Sequence, residues 1–114
     1  MHDDNPQLDG RVYEYTYDDG GSVVLEFDDG RLAYRWLSGP FAGVAQNALE
    51  YRARVIGNGV LVVNWHDAAN GNFVTLLLDP GHRTIYSSGI IGYGRDDMTT
   101  LFDVGRITRA PGGA

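Results

Sequence analysis

The sequence predicts an all-β protein, a single domain built as one antiparallel meander of about eight strands. Sixteen glycines are spread along the whole 114 residues, and glycine reaches the positive φ angles that tight turns need. Short segments rich in Val, Ile, Leu, Tyr, Phe and Thr recur about every ten residues, without a helix-length amphipathic segment between them. Such a meander closes into an up-and-down β-barrel or stacks as a sandwich, and closure removes the exposed sheet edges.

Eight segments have the composition of strands. They are Val12–Tyr17, Val23–Phe27, Leu32–Leu37, Ala48–Ile56, Val60–Trp65, Phe73–Leu78, Thr84–Ile91 and Thr99–Ile107. Most of the segments between them combine Asp, Asn or Pro with Gly, which is typical of tight turns, as in Asp28-Asp29-Gly30 and Gly57-Asn58-Gly59. The connections are therefore predicted to be hairpins.

The polarity of individual strands differs. From Leu49 to Val55, apolar residues at odd positions alternate with charged residues at even positions, which predicts one solvent-exposed face. By contrast, Val60–Val63 and Val74–Leu78 are apolar on both faces, which indicates that water is excluded from both sides. A hydrophobic lumen inside and a homodimer face outside are both consistent with this pattern.

Charge and composition exclude several classes of protein. Nine basic and fifteen acidic residues give a net charge of −6, a field that repels nucleic acids and anionic membrane surfaces. No run approaches the roughly 18 apolar residues of a membrane span. The absence of cysteine favours a reducing compartment, and the first residues lack the basic and apolar parts of a secretory signal. We therefore expect a cytoplasmic protein whose residues 1–9 and 110–114 are flexible.

No short motif for a metal or a cofactor is found. His2, His66 and His82 are far apart in sequence and lack the spacing of known zinc motifs. A barrel could still gather His66, Asp67 and His82 from different strands, but exposed histidines at strand ends are the favoured interpretation. The serines form no nucleophile elbow, and the glycines near Gly89 do not match the dinucleotide fingerprint. We expect neither a metal nor an organic cofactor.

Three tyrosines of the first strand form the first candidate site. Tyr13, Tyr15 and Tyr17 alternate along the strand, so their side chains project from one face. Inside a barrel they line a ligand pocket with directed hydroxyls, or they form an aromatic core whose hydroxyls bond to neighbours. The residues alone leave both interpretations open.

The polar end of the strand that begins at Val60 is the second candidate. The segment Asn64-Trp65-His66-Asp67 places a carboxylate where an apolar barrel would raise its pKa and allow it to exchange protons with a substrate. The simpler interpretation is that Asp67 begins a solvated turn that continues to Gly71. Spacing alone favours the turn.

Three segments resemble the lipocalin-like proteins of the MoaF type. They are Arg35-Trp36-Leu37-Ser38-Gly39-Pro40-Phe41-Ala42-Gly43, Glu50-Tyr51 and Val63-Asn64-Trp65-His66, within a resemblance that runs from Tyr13 to about Tyr93. The resemblance implies a calycin-type barrel that holds a small molecule in its lumen.

Two segments are also similar to the phenolic acid decarboxylases, more distant relatives with the same small barrel. Tyr15-Thr16-Tyr17-Asp18-Asp19-Gly20 resembles the element whose tyrosines hold the substrate carboxylate, and Trp65-His66-Asp67 resembles the strand with the proton-transferring glutamate. The position of the family's arginine is Val44 here, so the resemblance does not imply hydroxycinnamate decarboxylation. Arg35 and Arg52 are the candidates for a replacement cation, although the alternation around Arg52 places it on the surface.

Three functions follow from these observations. The preferred function is binding of a small apolar or aromatic ligand in the lumen, and the alternative enzyme is a cofactor-free lyase or isomerase. In the enzyme, Asp67 would be the general acid/base, Tyr15 and Tyr17 would orient the substrate, and His66 would assist. The third function is a structural homodimer whose barrel is filled by its own side chains. The expected ligand-binding residues are Tyr13, Tyr15, Tyr17, Trp36 and Trp65, together with Asp67.

Overall fold

A computed structural model describes residues 3–4 and 7–111, which form a curled antiparallel sheet with the shape of a half-barrel. A 3₁₀ turn at Pro80–His82 is the one helical element among these residues, so none of them belongs to a helix that could cross a membrane. Parts of the two ends that we expected to be flexible, residues 1–2, 5–6 and 112–114, lie outside the described residues. Within the described part, Leu8 is fully buried in the core.

Ten antiparallel strands make up the sheet, which confirms the predicted all-β class with two more strands than expected, one of them only two residues long. Their order across the sheet is β1-β6-β7-β8-β9-β10-β2-β3-β4-β5. The strands are β1 (Asp3–Asp4), β2 (Val12–Tyr17), β3 (Ser22–Asp28), β4 (Arg31–Trp36), β5 (Ala45–Leu49), β6 (Arg52–Ile56), β7 (Val60–Asp67), β8 (Asn72–Asp79), β9 (Thr84–Ile91) and β10 (Thr99–Arg109).

Two hairpins show how the turn residues set the connections. Asp29 and Gly30 have φ of 51° and 71°, and Asn58 and Gly59 have φ of 64° and 74°. Positive φ at both central residues is the requirement of the type I′ turn, whose twist matches that of the flanking strands. These short turns keep β3 beside β4 and β6 beside β7, as the sequence predicts.

The predicted strand Ala48–Ile56 is divided into β5 and β6. Ala48 lies in the left-handed region with φ of 56°, and the pairing of β4 with β5 shifts register between Leu32 and Tyr34. The division itself falls at Glu50 and Tyr51, which belong to neither strand. Among the described residues, the strand order ends at β5 on one side and at β1 on the other. The sheet does not close into the expected barrel by hydrogen bonds, although the predicted alternation of faces continues through the break.

The concave side of the sheet is filled by the tyrosines of β2. Tyr13, Tyr15 and Tyr17 are all buried. The ring of Tyr15 lies edge-on to Tyr17 at 5.4 Å between centroids, and Tyr17 stacks on Trp36 at 5.8 Å. The three tyrosines therefore form a packed aromatic core at this depth of the half-barrel.

Aromatic contacts also span the gap between the two ends of the sheet. Tyr34 of β4 contacts Trp65 of β7 at 5.6 Å, and Phe27 of β3 contacts Tyr51, between β5 and β6, at 5.1 Å. Such ring pairs contribute about 0.5 to 1.5 kcal/mol each beyond the area they bury. Side-chain packing therefore holds together the two ends that no hydrogen-bond ladder joins.

The close approach of β8 and β9 at Gly89 gives a test of this fold. A Cβ at Gly89 would lie 2.4 Å from the carbonyl oxygen of Phe73 and 2.9 Å from the Cα of Val74. We expect Gly89→Ala to lower the free energy of unfolding by about 2 kcal/mol or more, because backbone atoms must move. Urea unfolding measures the change. Gly57→Ala is the control, since its Cβ would meet no atom within 4 Å, and equal stability of the two variants would contradict the described pairing.

Alkaline pH tests the tyrosine core. Burial raises the pKa of Tyr15, and raises the pKa of Tyr17 to about 12. In the unfolded chain, the hydroxyls of these tyrosines lose their protons near pH 10. Their contribution to the free energy of unfolding is therefore complete below pH 10. As the pH rises toward 12, this free energy decreases by about 1.4 kcal/mol per pH unit for each tyrosine. All nine basic residues are arginines, so no lysine titrates in this range. We expect Tyr17→Phe to show a shallower decrease than wild type in urea unfolding, and identical slopes would refute the assignment.

Candidate functional site

Four hairpin connections lie at the same end of the sheet. The strand registers place the β2–β3, β4–β5, β7–β8 and β9–β10 connections there. A cavity of about 290 Å³ opens between them, and we call it the mouth cavity. It is lined by Tyr34, Trp36, Phe41, Val44, Gln46, Asn70, Asn72, Ile91, Arg95, Asp97, Thr99 and Leu101.

Trp36 forms the most constrained part of the apolar wall. Its ring stacks on Tyr17, contacts Phe41 at 5.1 Å between centroids, and lies so close to Gly21 that a Cβ there would be 2.7 Å away. Phe41, Ile91 and Leu101 extend the apolar surface around it. The indole is therefore held in one place by packing on several sides.

Buried polar groups lie at the inner side of the mouth cavity. The Oδ1 of Asn72 accepts a hydrogen bond of 3.0 Å from the backbone N–H of Gly92, which ties β8 to the start of the β9–β10 loop. Burial and then the negative charge of Asp67 raise the pKa of Tyr34. Tyr34 therefore stays a neutral hydroxyl at physiological pH and can donate or accept a hydrogen bond.

Arg95 is the one basic residue among those that line the mouth cavity, and the sequence analysis missed it. Its Nε lies 3.2 Å from Oδ1 of Asp97, within the β9–β10 loop. Val44, the position at which the resemblance to phenolic acid decarboxylases would place an arginine, lines the same cavity. Arg35 is exposed on the outer face, and the guanidinium of Arg52 donates to Asn64 on that face. The β9–β10 loop has no hydrophobic periodicity, so the sequence could not indicate where the side chain of Arg95 points.

Asp67 lies on the inner face of β7 and is 9% exposed. Its Oδ2 accepts a hydrogen bond of 2.7 Å from Nδ2 of Asn70, and its Oδ1 accepts one of 3.4 Å from the backbone N–H of the same residue. Asp67 therefore caps the β7–β8 turn from inside. It is not among the residues that line the mouth cavity.

His66 projects from the opposite face of β7. It is exposed, shares a hydrogen bond of 2.6 Å with the hydroxyl of Tyr93 and contacts the ring of Phe73. Successive side chains of a strand point to opposite faces, so His66 cannot assist Asp67 in the same site. The structure thus separates two residues that the enzyme alternative combined.

The third residue of the conceivable metal site is also remote. His82 lies in the 3₁₀ turn at the other end of the sheet, where its Nδ1 is 2.8 Å from Oδ2 of Asp79. Among the described residues, no three His, Asp or Glu side chains converge on a common point that could hold a metal ion. His2 lies outside the described residues.

Of the six expected ligand-binding residues, Trp36 lines the mouth cavity, whereas Asp67 caps the β7–β8 turn. Tyr13, Tyr15 and Tyr17 are buried in the packed core beneath it. Trp65 is buried behind Tyr34, and its indole N–H has no hydrogen-bond partner. The structure therefore brings these aromatic residues together but places the open space beside Trp36.

Comparison with known proteins supports the fold. A crystal structure described as that of "a putative beta-lactamase from Burkholderia vietnamiensis" superposes with a TM-score of 0.72 at 20% sequence identity, over 92% of this chain and 96% of the other. At this identity the likeness concerns the fold alone. No curated protein matches the sequence. The profile of the MoaF-like family matches residues 9–97, and the chain belongs to this family.

Proposed function

We propose that this half-barrel binds a small, largely apolar or aromatic molecule in the mouth cavity. The observation that carries the proposal is the cavity itself, whose volume of about 290 Å³ is close to the lower end of small-molecule sites. Its apolar wall contains Trp36, Phe41, Ile91 and Leu101, and polar side chains lie around them, namely Gln46, Asn70, Asn72, Arg95, Asp97 and Thr99. An apolar wall combined with orienting polar groups is the usual composition of a ligand site.

Arg95 provides a partner for an acidic end of the ligand. In the described structure its guanidinium pairs with the carboxylate of Asp97 at 3.2 Å. A carboxylate on a ligand can take the same place, because guanidinium and carboxylate groups form charge-assisted hydrogen bonds. Arg95 thus supplies, from the β9–β10 loop, the cation that is missing at Val44. We therefore expect aromatic acids to bind more tightly than neutral aromatic molecules of the same size.

The tyrosines of β2 support the site indirectly in this proposal. Tyr15 and Tyr17 fill the space below the cavity, and Tyr17 stacks on the face of Trp36. A ligand that reached deeper would have to displace these packed rings. Their contribution is to fix the orientation of Trp36.

A lyase or isomerase reaction is the second candidate, and the geometry favours it less. A general acid/base must come within about 2.6 to 3.2 Å of the substrate, directly or through one water. Asp67 is hydrogen bonded to Asn70 and is not a lining residue of the mouth cavity. The structural likeness at 20% identity concerns the fold alone and gives no support to a catalytic activity.

The two tryptophans of the chain allow a direct test of the binding site. Trp36 lines the mouth cavity and Trp65 is buried behind Tyr34. We expect cinnamate or 2-naphthoate to quench the tryptophan fluorescence of wild type and of Trp65→Phe, because Trp36 contacts the ligand. The quenching should be lost in Trp36→Phe, whose remaining indole is shielded.

The variants Trp36→Phe and Trp65→Phe can also refute the proposed binding site. Quenching that survives in Trp36→Phe and disappears in Trp65→Phe would place the ligand elsewhere. The absence of any fluorescence change, together with the absence of thermal stabilisation of wild type by either probe at saturating concentration, would refute the proposed ligand class.

Substitution of two aspartates distinguishes binding from catalysis. We expect Asp67→Asn to lower the free energy of unfolding by about 1 kcal/mol, because a charge-assisted hydrogen bond to Asn70 becomes a neutral one, and to leave cinnamate affinity nearly unchanged. The matched change Asp97→Asn frees Arg95 and should strengthen cinnamate binding several-fold. Urea unfolding and fluorescence titration measure the two effects. Loss of cinnamate binding in Asp67→Asn at unchanged stability would instead place Asp67 in the site.

A further inference from the structure

The outer face of β7 to β10 carries a large apolar surface that is separate from the mouth cavity. We call the outer apolar face the group Phe73, Tyr86, Ile90, Phe102 and Val104. Phe102 is 91% exposed, and the other four residues are 36 to 51% exposed. Isolated exposed apolar residues are normal, whereas a contiguous group of this kind marks an interaction surface.

The strand register makes the outer apolar face continuous. Three rows of outward residues cross the four strands, each row with one residue from each strand. The rows are Val62–Leu77–Tyr86–Val104, Asn64–Thr75–Ser88–Phe102 and His66–Phe73–Ile90–Thr100. Neighbouring strands lie about 4.8 Å apart, so adjacent side chains within a row are in contact distance.

None of these twelve positions carries Asp, Glu or Arg. The polar side chains in the middle row are already satisfied within the sheet at Asn64 and Thr75, where Nδ2 of Asn64 donates to Oγ1 of Thr75 at 2.8 Å. Covering Asn64 and Thr75 breaks no hydrogen bond of theirs, because Asn64 also accepts from Arg52 within the same sheet. The surface is therefore suited to being covered by protein.

We infer that the outer apolar face is the interface of a two-fold symmetric homodimer. None of the twelve positions brings an Asp or Glu carboxylate against its symmetry-related copy, so the acidic residues behind the net charge of −6 stay outside the contact. The bordering Arg52, whose guanidinium donates to Asn64, adds no negative charge. A basic partner would need acidic residues that the face lacks. An anionic membrane surface is repelled by the charge of the whole chain.

The shape of the face is also self-complementary. Phe102 protrudes between small neighbours, with Ser88 opposite it and Thr100 two residues before it. In an isologous dimer the same patch meets itself, so Phe102 of one subunit can pack over the small residues of the other. Two sheets that pack face to face in this way lie about 10 Å apart.

The area of the outer apolar face is consistent with its being covered by a second copy of the chain. The five residues expose on the order of 500 Å² of mostly apolar surface. Half-buried Val62 and Leu77 and exposed Tyr93 border them and bring the face to about 600 Å² per subunit, the lower end for stable dimers. We expect association that depends on protein concentration, which solution measurements can detect.

Sedimentation velocity of the full chain tests the inference. We expect wild type to shift with concentration from the 12.5 kDa monomer to twice that mass, and Phe102→Asp to remain monomeric. Leu37→Asp is the matched control, since Leu37 is 48% exposed outside the face and the change adds the same charge. Because Phe102 is almost fully exposed, its replacement removes no packing from the monomer, and circular dichroism should show the same fold.

A covalent measurement gives an independent readout. The chain has no cysteine, so Ser88→Cys introduces the only thiol. A bifunctional maleimide that spans about 10 Å, the spacing of packed sheets, should link this variant into a covalent dimer, whereas Leu37→Cys should remain largely monomeric. Monomeric wild type up to about 1 mM would overturn the inference, as would Phe102→Asp that associates like wild type. Monomeric wild type that co-sediments with phosphatidylcholine vesicles through Phe102 would assign the face to lipid and overturn it equally.

Discussion

Aromatic packing across the gap between β5 and β6 is the contact on which the rest of the structure depends. Within the described residues, the hydrogen-bonded sheet has two ends, at β1 and at β5, and no ladder joins them. The ring pair Tyr34–Trp65 connects β4 to β7, and Phe27–Tyr51 connects β3 to the segment between β5 and β6. Without them the sheet could flatten, and the concave side that contains the core would open to water. Hydrophobic burial thus replaces backbone pairing at this position.

The same packing decides where an open space remains. The rings of Tyr15, Tyr17 and Trp36 form a continuous stack that fills the depth of the half-barrel, so the free volume lies above Trp36. Here residues of the hairpin connections join the ends of the strands in the wall of the cavity. Loops tolerate change in sequence more readily than the strands beneath them, which is a physical reason for a ligand site at this end of the fold.

The two faces of the central strands lie in different environments. Alternation along β7 turns Trp65 and Asp67 inward and turns His66 outward, so neighbours in sequence belong to different environments. The inward face is covered by the protein itself. The outward face of β8 to β10 is apolar yet exposed. A strand that is apolar on both sides therefore has one face buried in the core and one face on the surface.

The sequence by itself determined the all-β class, most strand positions, the hairpin turns and the inward direction of the β2 tyrosines, because turn residues and period-two alternation are local properties. The MoaF-like family was also recognisable from it. Only the tertiary structure decided that the sheet stays open beside β5, that Arg95 reaches the cavity and that Asp67 caps a turn. Among the described residues they rest on the pairing of β5 with β4 alone, the path of the β9–β10 loop and the hydrogen bonds of Asp67 with Asn70. Contacts between distant segments leave no periodic signal in the chain.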